Sequence, residues 1–239
     1  MHTRESLARD LRALGVEPGD ILFIHSSFKG LGAVEDGAGT VVGALEDAVG
    51  EDGLILMPSF NLLEKADRAK SWNVETSPST VGWITEFFRR MPGTVRSDHY
   101  SHSVAARGKR AAEFTEGHLR DEGLGSPWDL KPWGKTFGTH SPMVKAYGAG
   151  ARLLMLGVDY HSSTYVHLVE VMYWHRRLAR DPQAEYKWLR REELGAFWDK
   201  SGRLRRGRVG DAGCRLFRVR DYVDALLREV ETNPGPYVK

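Results

Sequence analysis

The chain has 239 residues, 34 Lys and Arg against 32 Asp and Glu, a formal net charge of +2 and 41% hydrophobic residues. This composition excludes collagen, intrinsic disorder and a disulfide scaffold, and it predicts a single domain over 1–239. No apolar run nears the roughly 18 residues of a membrane span, MHTRESLARD lacks the apolar stretch of a signal peptide, and Cys214 is the sole cysteine, so a cytoplasmic protein with no membrane partner is expected.

Thr3 can cap a first helix in which Leu7, Leu11 and Leu14 fall at i, i+4 and i+7, with Gly15 and Pro18 as its stop. Residues 21–24 are a short apolar run, the pattern of a strand buried on both faces. A loop with Gly30, Gly32, Gly37 and Gly39 leads to a helix over 40–49, and 54–57 is a second such strand, ended by Pro58. A helix is predicted over 79–91, a strand over 152–157 and a helix from Thr164 to about Leu178. Short strands are predicted over 186–191, 196–198 and 204–209, with turns at Gly195 and Ser201-Gly202. A closing helix places Val223, Leu226, Leu227 and Val230 on one face, and the alternation as a whole predicts an α/β fold. The arginines of 203–208 read as a solvated basic face, and no nucleic-acid partner is expected.

Three polar segments could carry chemistry. His25-Ser26-Ser27 stands at the carboxyl end of the first strand, where open α/β sheets bind ligands. Its side chains and the N–H groups of the Gly-rich loop can hold phosphate oxygens, or simply satisfy the loop. The run from Arg96 to Ser103 contains His99 and His102, whose spacing outside a helix does not bring both rings to one side and disfavours a metal pair. Arg96 and its neighbouring serines can hold an anion or satisfy loop backbone. If Thr164 caps its helix, His167 stands at N3 with Glu170 one turn on, and both side chains point the same way. An imidazole oriented by an acid is what a general base requires; an exposed i, i+3 pair is the alternative. A metal-dependent hydrolase using His99, His102, His161, His167 and Glu170 is the competing reading from another class.

Along the chain stand IHSSFKGLG from Ile24, LMPSF from Leu56, TSPSTVG from Thr76, EFFRR from Glu86, RSDHYSHSVAARG from Arg96, SPMVK from Ser141, and LMLGV from Leu154 through His167-Leu-Val-Glu170. Together these segments resemble the aminoglycoside 3-N-acetyltransferase family of antibiotic acyltransferases, distinct from the GNAT enzymes, from about Asp20 to Val230. The resemblance implies an α/β/α sandwich with a short C-terminal strand-rich segment. It implies acetyl-CoA as co-substrate, held by His25, Ser26, Ser27, Leu31 and Gly32, with Arg96, Ser97 and Ser141 lining the same cleft and no metal. His167 with Glu170 is the implied catalytic pair, and His99 is the family's other site histidine.

With no nucleophilic cysteine expected, transfer is expected to be direct; the resemblance implies a small-molecule amine as acceptor, by default the 3-amino group of an aminoglycoside. A non-aminoglycoside amine (an amino sugar, nucleotide or phosphonate metabolite) is the alternative. A polycation calls for an acidic cleft, and the segment 64–70 carries three basic residues against two acidic ones. The aromatic residues between Tyr160 and Trp198 serve the core, an acceptor wall or a homodimer face.

Overall fold

A computed structural model describes residues 1–63 and 67–239. In chain order the elements are α1 (Arg4–Leu14), β1 (Ile21–Ser26), α2 (Ala38–Val49), β2 (Leu54–Pro58), α3 (Arg68–Ser71), α4 (Trp83–Arg90), β3 (Val95–Arg96) and β4 (Val104–Gly108). There follow α5 (Ala111–Thr115), α6 (Pro142–Gly148), β5 (Arg152–Leu156), α7 (Tyr165–Leu178), α8 (Arg191–Lys200), β6 (Arg205–Val209), β7 (Ala212–Arg218) and α9 (Val219–Thr232).

The strands form one seven-stranded sheet in the order β3-β4-β2-β1-β5-β7-β6. The apolar runs at 21–24, 54–57 and 152–157 lie at its centre, β1 pairing in parallel with both β2 and β5. Strand geometry sends successive side chains to opposite faces. Leu22, Ile24, Ile55, Met57, Leu154 and Leu156 therefore pack under α1, α2 and α4. Phe23, Leu54, Leu56, Leu153 and Met155 pack under α6, α7, α8 and α9 on the other face. This is the expected α/β/α arrangement, and its two apolar faces explain why the central strands read as unbroken apolar runs.

The first helix follows its sequence signals: the Thr3 hydroxyl accepts from Ser6 N–H at 3.2 Å, the Ser6 hydroxyl accepts from Thr3 N–H at 2.9 Å, and Gly15 ends the helix at φ 107°. Two predicted strands are corrected. Residues 196–198 lie inside α8, because Leu194 and Trp198, spaced i, i+4, are both fully buried. Gly195 marks close packing, not a turn: a Cβ there would stand 2.2 Å from the Tyr160 ring. Residues 186–191 join no sheet; Leu189 makes an isolated bridge with Val238 in the tail, and Arg191 already begins α8. The C-terminal strands are β6 and β7, and β7 went unpredicted. Among the described residues, no helix is long and apolar enough to cross a membrane.

Candidate active site

Parallel pairing sets His25 beside Met155 and Ser26 beside Leu156, so β1 and β5 end together. The loops leaving them, with those after β2 and before β4, enclose a cavity of about 670 Å³. His167, one turn into α7, lines it. Its Nδ1 stands 2.5 Å from Glu170 Oε2. Glu170 is 1% exposed, and its other contacts are donors: the Tyr186 hydroxyl to Oε2 at 2.8 Å and Leu189 N–H to Oε1 at 2.8 Å. Burial, reinforced by Glu170, holds the Tyr186 phenol far above its ordinary range, so it remains a donor.

On the cavity side, His167 Nε2 meets Nη2 of Arg191. A guanidinium only donates, so Nε2 accepts and the ring proton sits on Nδ1, facing Glu170. The lone pair thus points toward the cavity, as proton abstraction there requires. Trp128 and Trp188, stacked 5.5 Å apart, wall the imidazole edge-on at 5.9 and 5.7 Å.

His25 also lines the cavity, but burial, then the Arg191 charge, lowers its pKa to about 3, so it carries no charge for a phosphate. Its Nε2 accepts from Thr164 N–H at 3.4 Å and lies 3.2 Å from the Thr164 hydroxyl, tying the end of β1 to the start of the helix bearing His167. Ser26 Oγ, beside it, is buried without a hydrogen-bond partner among the described residues. An orphaned hydroxyl in a cleft of this size fits a polar ligand such as the amide-rich arm of acetyl-CoA.

The remaining predicted residues stand apart from the cavity wall. Ser27 Oγ accepts from Gly30 N–H at 3.3 Å within its own loop. Leu31 is fully buried in the core under α1 and α2. Gly32, at φ 81°, leaves room for the Asp211 carboxylate, which a Cβ would meet at 2.0 Å. Arg96 donates to the carbonyls of Ser59, Val74 and Ser77 and lies 4.4 Å over the Trp72 ring, so it ties loops together. Ser97 Oγ accepts from Val104 N–H at 2.9 Å in the interior, and Ser141 precedes α6 with its hydroxyl buried and unpartnered among the described residues. His99 is fully buried, stacked on His118 at 4.4 Å, and does not line the cavity. Its place there is taken by His102, whose ring centre is 6.1 Å from that of His167. The five residues weighed as metal ligands do not converge on one point.

A family model described as aminoglycoside 3-N-acetyltransferase matches residues 23–231. The chain belongs to that family. As a member of the aminoglycoside 3-N-acetyltransferases it is an N-acetyltransferase. It is 32% identical to the SPbeta prophage-derived aminoglycoside N(3')-acetyltransferase-like protein YokD of Bacillus subtilis, over 99% of this chain and 95% of that one. The crystal structure of YokD superposes with a TM-score of 0.76 over 97% of this chain and 100% of that one. Aminoglycoside N(3)-acetyltransferase III of Salmonella sp is 30% identical, covering 98% of this chain and 93% of the relative. The aminoglycoside acetyltransferase AAC(3)-IVa apoenzyme matches at 28% identity and TM-score 0.77, over 97% of this chain and 89% of that chain.

Arg191 and Trp128 were missed by sequence reasoning; Trp188 was weighed only among the aromatic residues of a core, acceptor wall or dimer face, and His102 only as half of a disfavoured metal pair and as a ligand in the metal-hydrolase reading. Trp188 and Arg191 lie in the stretch read as strand, and Trp128 in a loop without periodicity. The one available signal was the density of aromatic residues.

Proposed function

We propose that this chain transfers the acetyl group of acetyl-CoA directly to an amine, with His167 as general base and Glu170 as its orienting carboxylate. The observation that carries this reading is the line from buried Glu170 through His167 to an Nε2 lone pair on the cavity wall, covered by Arg191. An amine acceptor must lose a proton as it attacks, and His167 Nε2 is aimed to take it. Glu170, fixed by Tyr186 and Leu189, holds the ring and stabilises the imidazolium that forms. Arg191 must leave Nε2 as the acceptor enters, which makes it a gate on the base.

Acetyl-CoA is consumed as a substrate and supplies an activated acyl group. Ser26 and the backbone of the following loop would hold it, with Ser27, Leu31 and Gly32 shaping that loop and Arg96, Ser97 and Ser141 bracing the neighbouring ones. Direct transfer is supported by the one thiol: Cys214 lies buried on β7, and burial raises its pKa.

The 3-amino group of an aminoglycoside is the family's acceptor. A second reading, an amino sugar, nucleotide or phosphonate metabolite, is favoured by the cavity's charge. Arg68 and Arg191 line it, and no carboxylate does among the described residues. A polycation is repelled by such a wall. Of the segment 64–70, residues Glu64, Lys65 and Ala66 lie outside the described residues.

The test is steady-state thiol release with acetyl-CoA and a panel of aminoglycosides, amino sugars and anionic amines. Intersecting double-reciprocal lines are expected. Parallel lines with a labelled acetyl-enzyme would overturn direct transfer, and turnover confined to aminoglycosides would overturn the second reading.

A further inference from the structure

We propose that His102 is a further catalytic residue, whose Nε2–H donates a hydrogen bond to the thioester carbonyl oxygen while charge develops on it; this rests on the acetyl-transfer reading above. The hydrogen bonds around His102 assign its proton. His99 Nδ1 accepts the backbone N–H groups of Ser101 at 3.3 Å and His102 at 3.2 Å, so its lone pair is taken. Thr136 Oγ1 already donates to Asp129 Oδ1 at 2.7 Å and accepts Trp128 Nε1–H at 3.0 Å. The Ser101 hydroxyl lies 3.0 Å from His102 Nδ1, against 3.3 Å from His99 Nδ1 and 3.4 Å from Thr136 Oγ1. His102 Nδ1 is thus the nearest acceptor, and we place the Ser101 hydrogen on it, with the proton of His102 on Nε2. That nitrogen has no hydrogen-bond partner among the described residues.

The ring is held in place by Phe60 at 5.2 Å, Phe137 at 5.3 Å and Trp128 at 6.1 Å. It lines the cavity perpendicular to His167, 6.1 Å between centres, so the two imidazoles converge on one space. Burial, then the neighbouring histidines and Arg68, keeps the His102 pKa well below the ordinary histidine range. The ring therefore donates without carrying a charge of its own.

The two histidines divide the reaction. The amine nitrogen bonds to the carbonyl carbon, the C–S bond breaks, and the amine proton passes through His167 Nε2 to the departing sulfur. His102 neither gains nor loses a proton; its N–H stabilises the negative charge on oxygen, a role whose removal costs on the order of 10²–10³ in kcat.

The experiment uses the full chain and three variants. His102→Leu should lower kcat about 100-fold or more while KM and the acetyl-CoA Kd stay within about threefold, which also reports an intact fold. His102→Gln, whose amide N–H reaches toward the same point, should recover to within about tenfold of the parent. Two readouts need no turnover. Imidazole ¹⁵N spectra should show His102 protonated at Nε2, with that preference lost in Ser101→Ala. The ¹³C carbonyl resonance of bound [1-¹³C]acetyl-CoA should lie downfield of free, and return toward it in His102→Leu.

A His102→Leu enzyme with near-parental kcat, a Gln variant as slow as the Leu variant, or a proton found on Nδ1 would each overturn the proposal. Failure of the acetyl-transfer reading shows separately, as parental protein that neither binds acetyl-CoA nor releases thiol, and it removes this inference as well.

Discussion

Glu170 is a buried carboxylate surrounded by donors, and its role depends on accepting from every one of them. Glu170→Gln replaces one acceptor oxygen with an N–H and favours the opposite His167 tautomer. We expect kcat to fall on the order of 10²–10⁴-fold with little change in acetyl-CoA KM, read from thiol release. Tyr186→Phe removes one donor only, and about a tenfold loss is expected. The His167 and Glu170 pair was legible because helical spacing of three residues is a local property. The departure of His99 from the cavity and the entry of His102 were not. Which of two histidines three residues apart turns outward is decided by loop hydrogen bonds to His99 Nδ1, and no periodicity encodes those.

At the level of elements, α8 shows how a strand assignment hides the helix that carries Arg191 to His167. A three-residue apolar run at 196–198 and a glycine imitate a strand after a turn, whereas the i, i+4 spacing of Leu194 and Trp198 is helical. Tertiary packing decides between them, because Gly195 lets α8 lie against Tyr160, whose hydroxyl is anchored 2.6 Å from Asp199. Gly195→Ala gains about 1 kcal/mol of helix propensity but overpacks this contact by about 1–3 kcal/mol. With so short a Cβ approach the clash dominates, and a lower denaturant midpoint is expected. The start of α8 delivers Arg191 to His167 Nε2. Arg191→Ala should therefore speed modification of His167 by diethylpyrocarbonate severalfold in the free enzyme; an unchanged rate would mean that Arg191 does not cover the lone pair. The central strands were readable from sequence because burial on both faces leaves continuous apolar runs. β7 was not, since Arg215 and Gly213 interrupt its apolar pattern at the side of the sheet.

Across the whole molecule, three buried histidines and the half-buried His102 are held in their uncharged form. His25 and His118 have pKa values lowered to about 3, chiefly by burial, and His99 and His102 are lowered well below the ordinary value. The unfolded chain takes up protons at these sites near pH 6.5 and the folded chain does not. Stability is thus complete above about pH 6.5 and declines as pH falls toward 3, His25 and His118 each contributing up to about 1.4 kcal/mol per pH unit below 6.5 and His99 and His102 acting in the same direction. Thermal unfolding should show Tm dropping steeply between about pH 6.5 and 5, with several protons taken up per molecule; a flat Tm there would contradict the burial of these rings. The same packed arrangement of β1, β5 and α7 aims His167 at the cleft, and the most direct test of that central claim is His167→Ala. Calorimetric titration with acetyl-CoA should return a Kd near the parental value, while thiol release with the best acceptor falls by about 10³-fold. Turnover within a few-fold of the parent would contradict the assignment of His167 as the base.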